Sequence, residues 1–375
     1  MKGKVRPIEA VMVGTAARSA PPGSSGTHVQ LIGRDLELAV LRRSIAEAAT
    51  GKGVLVELVG ETGSGKSRLL AEARELAGTM PTMHATCEVY TQSIPYVAWR
   101  ELLGELLGLS WEAPDEVVLE RLQAHLLASH PQLLPWLPLL AIAMGIEAPS
   151  TREVEELSQD VRTTKLHEVV LTFLAPALTV PTLVLIEHAQ LMDEASTALL
   201  DALAGRLEHS SWVVLATRRD VDGGFTTTSP SALRMELAPL SPAETFALAE
   251  ATPEAQVIPP HVLHLAVERS AGSPEFLLDL LSAAAGGSGL LPDSIEAAAS
   301  MRIDALEPGD RVLIRRAAVL GLSFDPRRLR HVLEPGAEEP GEETWWRLSA
   351  IFATDPDGHI RFRRPAVCEV AYDGL

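Results

Sequence analysis

Val54-Leu55-Val56-Glu57-Leu58-Val59-Gly60-Glu61-Thr62-Gly63-Ser64-Gly65-Lys66-Ser67 joins a nearly continuous apolar run to a glycine-rich turn ending in Lys-Ser. A run of this kind is what a strand buried on both faces of a parallel sheet requires. The turn fits GxxxxGK[ST], the pattern of a phosphate-binding loop. Its glycines let the backbone turn tightly, so that successive amides point inward at a β-phosphate. A helix starting near Lys66 adds its positive dipole end. Lys66 then reaches the β- and γ-phosphates, and the Ser67 hydroxyl is placed to ligand Mg²⁺. Ser67 to Ala77 reads as that helix, with Leu69, Leu70, Ala73 and Leu76 inward and Gly78 at its end. Gly60, Glu61, Thr62, Gly63, Ser64, Gly65, Lys66 and Ser67 are therefore the expected cradle for a nucleoside di- or triphosphate.

Upstream, Leu36, Leu38, Leu41 and Ile45 give a helical stripe closed by Gly51. Downstream, Thr182–Ile186 and Trp212–Thr217 are further buried-strand candidates flanked by helical segments, and 93–175 reads as a helical insertion broken at Pro131, Pro135 and Pro138. Alternation of this kind predicts an α/β core with a parallel sheet and helices on both faces. From Ser241 the strands thin out. Residues 241–285 read as short helices. Residues 294–375 read as helices, a hairpin (Ile351–Thr354 and His359–Arg363 around Asp355-Pro356-Asp357-Gly358) and a last helix, a pattern that suggests a winged-helix module. Glu334 to Glu343 reads as a solvated acidic loop. The expected organisation is a P-loop NTPase core over 29–240, a helical lid over 241–292 and a winged helix over 293–375. Gly14 to His28, rich in Ala, Pro, Gly and Ser, reads as a flexible linker, and residues 1–13 are too few to fold alone.

A phosphate-bound Mg²⁺ needs an acidic group at the carboxyl end of a neighbouring strand. Glu187, directly after Thr182–Ile186, supplies one. The next position, where many P-loop ATPases place a second acid to polarise water, holds His188. Two readings stand for it: a neutral proton acceptor near the reacting water, or a strand-end residue bonded to backbone. Neither supplies an anionic base, so slow or absent hydrolysis is expected. Asp193 reads as the N-cap of a helix over Ala195–Leu203 and not as a catalyst. Thr217-Arg218-Arg219 ends another strand in cations, and Arg219 or Arg218 is placed to touch a γ-phosphate, the alternative being a solvated surface pair.

Charge limits the rest. With 32 Lys+Arg against 50 Asp+Glu, the net charge of −18 opposes non-specific nucleic-acid binding, which draws its affinity from neutralised phosphates. Two cysteines, Cys87 and Cys368, build no disulfide framework and fit a reducing, cytoplasmic setting. The longest apolar stretch, Leu133–Ile146, contains Pro135 and Pro138 and falls short of the roughly 20 residues a membrane span needs. Residues 1–20 resemble a secretory signal superficially, but Glu9 interrupts the apolar segment.

Several short motifs together resemble the signal-transduction (STAND-class) ATPases of the AAA+ lineage, in particular the module found behind class III adenylate/guanylate cyclase domains and in large LuxR-type regulators. Leu31-Ile32-Gly33-Arg34 resembles that family's hhGR motif, which implies that Ile32, Gly33 and Arg34 contact adenine. Glu187-His188-Ala189-Gln190-Leu191-Met192-Asp193 stands where members read like EDLHWAD, and Arg219 matches the arginine of the sensor TxR. Gly272-Ser273-Pro274 resembles the lid's GxP motif, implying Pro274 against the base. Ile360-Arg361-Phe362-Arg363-Arg364 resembles the winged-helix FRH segment, with Arg364 in place of the histidine that senses the β-phosphate. Lys2 to Val13 resembles the last strand of a class III cyclase domain. The resemblance implies ATP/ADP and Mg²⁺ as ligands, a cyclase domain upstream, helical repeats downstream, and a nucleotide-dependent switch. A cycling ATPase and a DNA-binding regulator using Arg327, Arg328, Arg330, Arg361 and Arg363 are the rival expectations.

Overall fold

In the computed structural model, residues 31–109, 113–286, 291–333, 340–354 and 358–375 are described. The readings at Lys2–Val13, at 14–28, over most of the acidic loop and at the hairpin turn 355–357 lie outside them. The chain divides into two compact units, one within Gln30–Leu291 and one within Pro292–Leu375. In the first, α1 (Asp35–Ala48) leads to β1 (Val54–Val59), α2 (Lys66–Ala77) and β2 (Thr82–Thr86). A helical insertion follows: α3 (Val97–Leu106), α4 (Asp115–Ser129), α5 (Leu137–Ala143), α6 (Arg152–Glu155) and α7 (Gln159–Leu174). Pro131 opens a 3-10 turn and Pro138 sits in the first turn of α5, where a missing amide costs nothing. Then come β3 (Thr182–Glu187), α8 (Glu194–Ala204), β4 (Trp212–Arg218), β5 (Leu233–Glu236), α9 (Pro242–Glu250), α10 (Pro260–Arg269) and α11 (Pro274–Ala285).

The five strands are all parallel, in the order β2-β3-β4-β1-β5, so their carboxyl ends open on one edge. Alternation divides the core. Val56, Leu58, Leu183, Leu185, Val213 and Leu215 pack with Leu41, Leu69 and Leu70 of α1 and α2 on one face. Leu55, Val184, Ile186, Trp212, Val214 and Ala216 pack beneath the insertion with Trp99, Leu122 and Leu126 on the other. Each such side chain contributes about 1.5–3 kcal/mol by leaving water. Leu36 departs from the expected inward stripe and is 82% exposed. Two residues of helix separate it from Leu38, about 200° of rotation, which turns it to solvent. Asp193 does cap α8, accepting from the Ser196 amide at 2.8 Å, and it also accepts from the Tyr96 amide at 3.0 Å.

Three carboxylates are tied to the edges and interior of the sheet. Glu57, in the middle of β1, is fully buried between Arg218 (3.7 Å) and Arg234 (3.6 Å). Glu101 and Glu105, one turn apart on α3, accept the outward amides of the edge strand β2 at Thr86 (3.0 Å) and His84 (3.1 Å). Such a cover blocks the edge from pairing with another strand. Burial pushes the Glu101 carboxyl up to about 8, opposed by the Thr86 amide and reinforced by Glu88 and Glu105.

The second unit consists of α12 (Ile295–Asp304), α13 (Pro308–Ala318), β6 (Ser323–Phe324), α14 (Glu342–Arg347), β7 (Phe352–Thr354), β8 (Ile360–Phe362) and α15 (Pro365–Asp373). Its antiparallel sheet has the order β6-β8-β7, with Phe324, Phe352 and Phe362 clustered on Ile314, Leu329 and Leu348. Glu342 and Glu343, expected in the acidic loop, instead open α14, where acids favour the helix start. Arg327 pairs with Asp325 at 2.8 Å, and Arg363 donates to the carbonyls of Ser349 and Phe352. Arg330 donates to His331 Nε2 at 3.2 Å, so at least three of the five arginines weighed for DNA have internal partners.

Two stability measurements follow from the buried charges. Arg218→Ala leaves Glu57 without its inner partner and is expected to cost about 3–5 kcal/mol in urea unfolding. The raised Glu101 carboxyl gives stability that is full below the unfolded value near 4.5 and lost as pH climbs through about 8. Glu101→Gln should flatten that slope and be the more stable protein above pH of about 8; an unchanged pH profile would show that Glu101 titrates normally.

Candidate nucleotide-binding site

Gly60 to Gly65 connects the end of β1 to the start of α2, and Gly63 (φ +77) and Gly65 (φ +98) adopt left-handed conformations that L side chains disfavour. α2 begins at Lys66, so its first amides face the loop's concavity. The loop's carbonyls are taken by other elements. Lys66 Nζ donates to Gly60 O and Glu61 O, both at 2.8 Å. Arg34 donates to Ser64 O at 3.1 Å and to Ala238 O at 2.8 Å. Gly63 O accepts from the Glu275 amide at 3.2 Å and from the Ser273 hydroxyl at 3.5 Å. The Ser64 hydroxyl is buried with no hydrogen-bond partner. Burial, helped by Arg219, pushes the Lys66 ammonium down to about 8, against the pull of Glu61 and Glu275. An anion in this cradle would relieve that penalty, so the residues present fit a polyphosphate.

The metal-ligand candidates also meet. Ser67 Oγ donates to Glu187 Oε2 at 3.3 Å across the gap between α2 and β3. His84, from β2, holds the other oxygen, with Nε2 3.0 Å from Glu187 Oε1. The side-chain pattern gave no hint of His84, because β2 is short and its sequence, Thr82-Met83-His84-Ala85-Thr86, mixes polar and apolar residues. No group of three or more His, Cys, Asp or Glu that could hold a metal alone occurs among the described residues. Ser67 and Glu187 would supply two protein ligands to Mg²⁺, and the phosphates the rest. His188 follows in a left-handed conformation (φ 57), its amide donating to Thr217 Oγ1 at 3.3 Å. Burial pushes its imidazole below the usual value, and Lys66, Arg219 and His84 add to this against Glu187.

The two arginines at the end of β4 separate. Arg218 turns into the protein, pairing with Glu57 and donating to Phe225 O, Val221 O and Thr226 Oγ1. Arg219 is left on the phosphate-loop side, where its charge acts on Lys66 and His188. Its amide is held by buried Gln190 Oε1 at 3.1 Å. Of the pair, Arg219 is the one on the side of Lys66 and His188. Arg34 and Gly33 lie close by: Gly33 (φ +70) packs so tightly on Glu244 and Leu240 that a Cβ would come within 2.7 Å of Glu244 Cδ. The guanidinium of Arg34 is engaged by the carbonyls of Ser64 and Ala238 and by Glu37. Pro274 is the first residue of α11, beside the Ser273 and Glu275 contacts to Gly63. Arg364 belongs to the second unit, at the N-cap of α15.

A phosphate loop after β1, a carboxylate at the end of β3 and a cation just past β4 define an α/β P-loop nucleotide-binding fold. Residues 30–215 match the family model of the AAA ATPase domain. A crystal structure of a signal transduction ATPase with numerous domains, carrying a tetratricopeptide repeat sensor, from Pyrococcus horikoshii overlays with a TM-score of 0.52 at 14% identity. The overlay covers 92% of this chain and 43% of that one, so this chain spans less than half of that protein's length. The Drosophila ORC bound to DNA overlays with a TM-score of 0.43 at 13% identity, over 97% of this chain and 96% of that one, too loosely to bear on function. No curated protein matches this chain in sequence. No helix among the described residues is long and apolar enough to cross a membrane.

Gly63→Ala tests the cradle. Its methyl would stand 2.9 Å from Ser273 Oγ and 3.0 Å from Glu275 Cβ, on a backbone with φ +77. Nucleotide affinity measured by calorimetry is expected to fall about tenfold or more, since strain of this kind costs about 1–3 kcal/mol. Unchanged affinity would mean that the loop is not held as described.

Proposed function

We propose that the chain is an ATP/ADP-binding signalling switch, whose output is nucleotide occupancy and not rapid turnover. The observation that carries this reading is His188 beside Glu187. Lys66, Ser67, Glu187 and Arg219 supply what binding requires: a cation for the phosphates, two ligands for Mg²⁺ and a second cation toward the terminal phosphate. The position next to the metal carboxylate holds an imidazole kept neutral by burial and by neighbouring cations. It can accept a hydrogen bond from a water, but it supplies no anionic base to draw off the proton. Bound ATP would supply the phosphoryl chemistry. The chain's own groups hold the polyphosphate, orient the metal ligands and leave the attacking water weakly activated.

The Pyrococcus protein of similar fold is described as a signal transduction ATPase, which supports a regulatory role here. On the resemblance of Lys2–Val13 to a cyclase strand, the regulated partner or fused domain is a class III adenylate cyclase. Steady-state phosphate release should lie at least about 100-fold below the common enzymatic range of about 1–10³ s⁻¹, while Mg²⁺-ATP and Mg²⁺-ADP bind in a manner lost in Lys66→Ala. Turnover within that range, abolished by Lys66→Ala, would replace the switch with a cycling ATPase. A rise in turnover in His188→Asp would confirm that the missing carboxylate sets the slow rate.

A further inference from the structure

The first turn of α11 meets the phosphate loop side-on. The Glu275 amide and the Ser273 hydroxyl both point at Gly63 O. A Cβ on Gly63 would lie 3.3 Å from Glu275 Oε2, so the carboxylate itself lies along the loop. That placement is held from behind. Gly272 O accepts from the Leu240 amide at 2.9 Å, Gly272 is so closely packed that a Cβ would stand 2.4 Å from Leu240 O, and Ser273 caps the helix at the Phe276 amide. The backbone of Glu275 is therefore held against the loop. Glu61, the other acid acting on Lys66, is by contrast exposed on the loop.

We propose that Glu275 is a specificity determinant of the nucleotide site: its carboxylate, lying beside Gly63, opposes the extra charge of a terminal phosphate and biases the site toward nucleoside diphosphate over triphosphate. The proposal rests on the reading of this loop as a nucleotide site. Every phosphate adds at least about one negative charge within range of the carboxylate, and Coulomb repulsion grows with the charge brought in. Lys66 and Arg219 attract both nucleotides. Glu275 charges the triphosphate more heavily than the diphosphate, and so acts on their ratio.

Calorimetric titration of the whole chain with Mg²⁺-ADP and Mg²⁺-ATP, for wild type, Glu275→Gln and Glu275→Asp, tests this. Glu275→Gln should tighten ATP by about threefold to tenfold and ADP by less, and the gain should shrink as salt is raised toward about 1 M, where screening acts within about 3 Å. Glu275→Asp, which keeps the charge, should retain the wild-type ratio. Should Glu275→Gln not fold, Glu275→Ser takes its place with the same expectation. An unchanged ATP/ADP ratio in the neutral variant, or an equal and salt-independent shift for both nucleotides, overturns the inference while leaving the nucleotide site standing. A folded wild type that binds neither nucleotide overturns the site itself.

Discussion

A loop binds phosphate with its amides only if its carbonyls are turned away and satisfied elsewhere, because a lone pair facing a phosphate oxygen repels it. Here that condition is met by the loop's own lysine and by donors from two distant parts of the chain. Lys66 Nζ takes Gly60 O and Glu61 O, Arg34 takes Ser64 O, and the α11 start takes Gly63 O. Arg34 precedes the loop by thirty residues and Glu275 follows it by more than two hundred. The loop's shape is thus a property of the whole first unit. The glycines permit it, and the donors select it.

The same division explains how much could be read from sequence alone. β1, β3 and β4 are buried on both faces, so their apolar runs are unbroken enough to stand out, and their bounds differ from the expected ones by a residue at most. β2 and β5 lie at the sheet's edges and carry Thr82-Met83-His84-Ala85-Thr86 and Leu233-Arg234-Met235-Glu236, patterns short and mixed enough to pass for loop. The Lys66, Ser67 and Glu187 positions were legible because local spacing encodes them. His84, Gln190 and Glu275 were not, since their roles arise from strand order and from helix docking, which no local pattern carries. Glu57 was hidden for the opposite reason: one acid in an apolar strand does not disturb the pattern, although burying it demands Arg218 and Arg234.

Arg218 and Arg219 show how strand alternation assigns neighbouring residues of one type to different work. Arg218 shares the sheet face of Glu57 and is drawn inward by it, where it also holds the carbonyls of Val221 and Phe225 in the loop after β4. Arg219, one residue on, lies on the side of Lys66. Between them the main chain is pinned twice, by Gln190 to the Arg219 amide and by Thr217 to the His188 amide. The tips of β3 and β4 are therefore tied to each other.

Whether the contact of α11 with the loop can operate a switch is a matter of magnitude. The two hydrogen bonds from α11 to Gly63 O contribute about 0.5–1.5 kcal/mol each. Nucleotide at a hundred times its dissociation constant stabilises the bound form by about 2.7 kcal/mol. The contact between loop and lid thus lies within reach of nucleotide occupancy. Driving a two-state equilibrium from 1:99 to 99:1 needs roughly 5.5 kcal/mol of differential affinity, about twice what that occupancy supplies. For the proposed switch, the difference would come from a group that binds one state of the α11 contact in preference to the other, as a partner domain would. A nucleotide site that loosens or seats a helix, without completing the transition alone, is suited to a protein that waits for a second input.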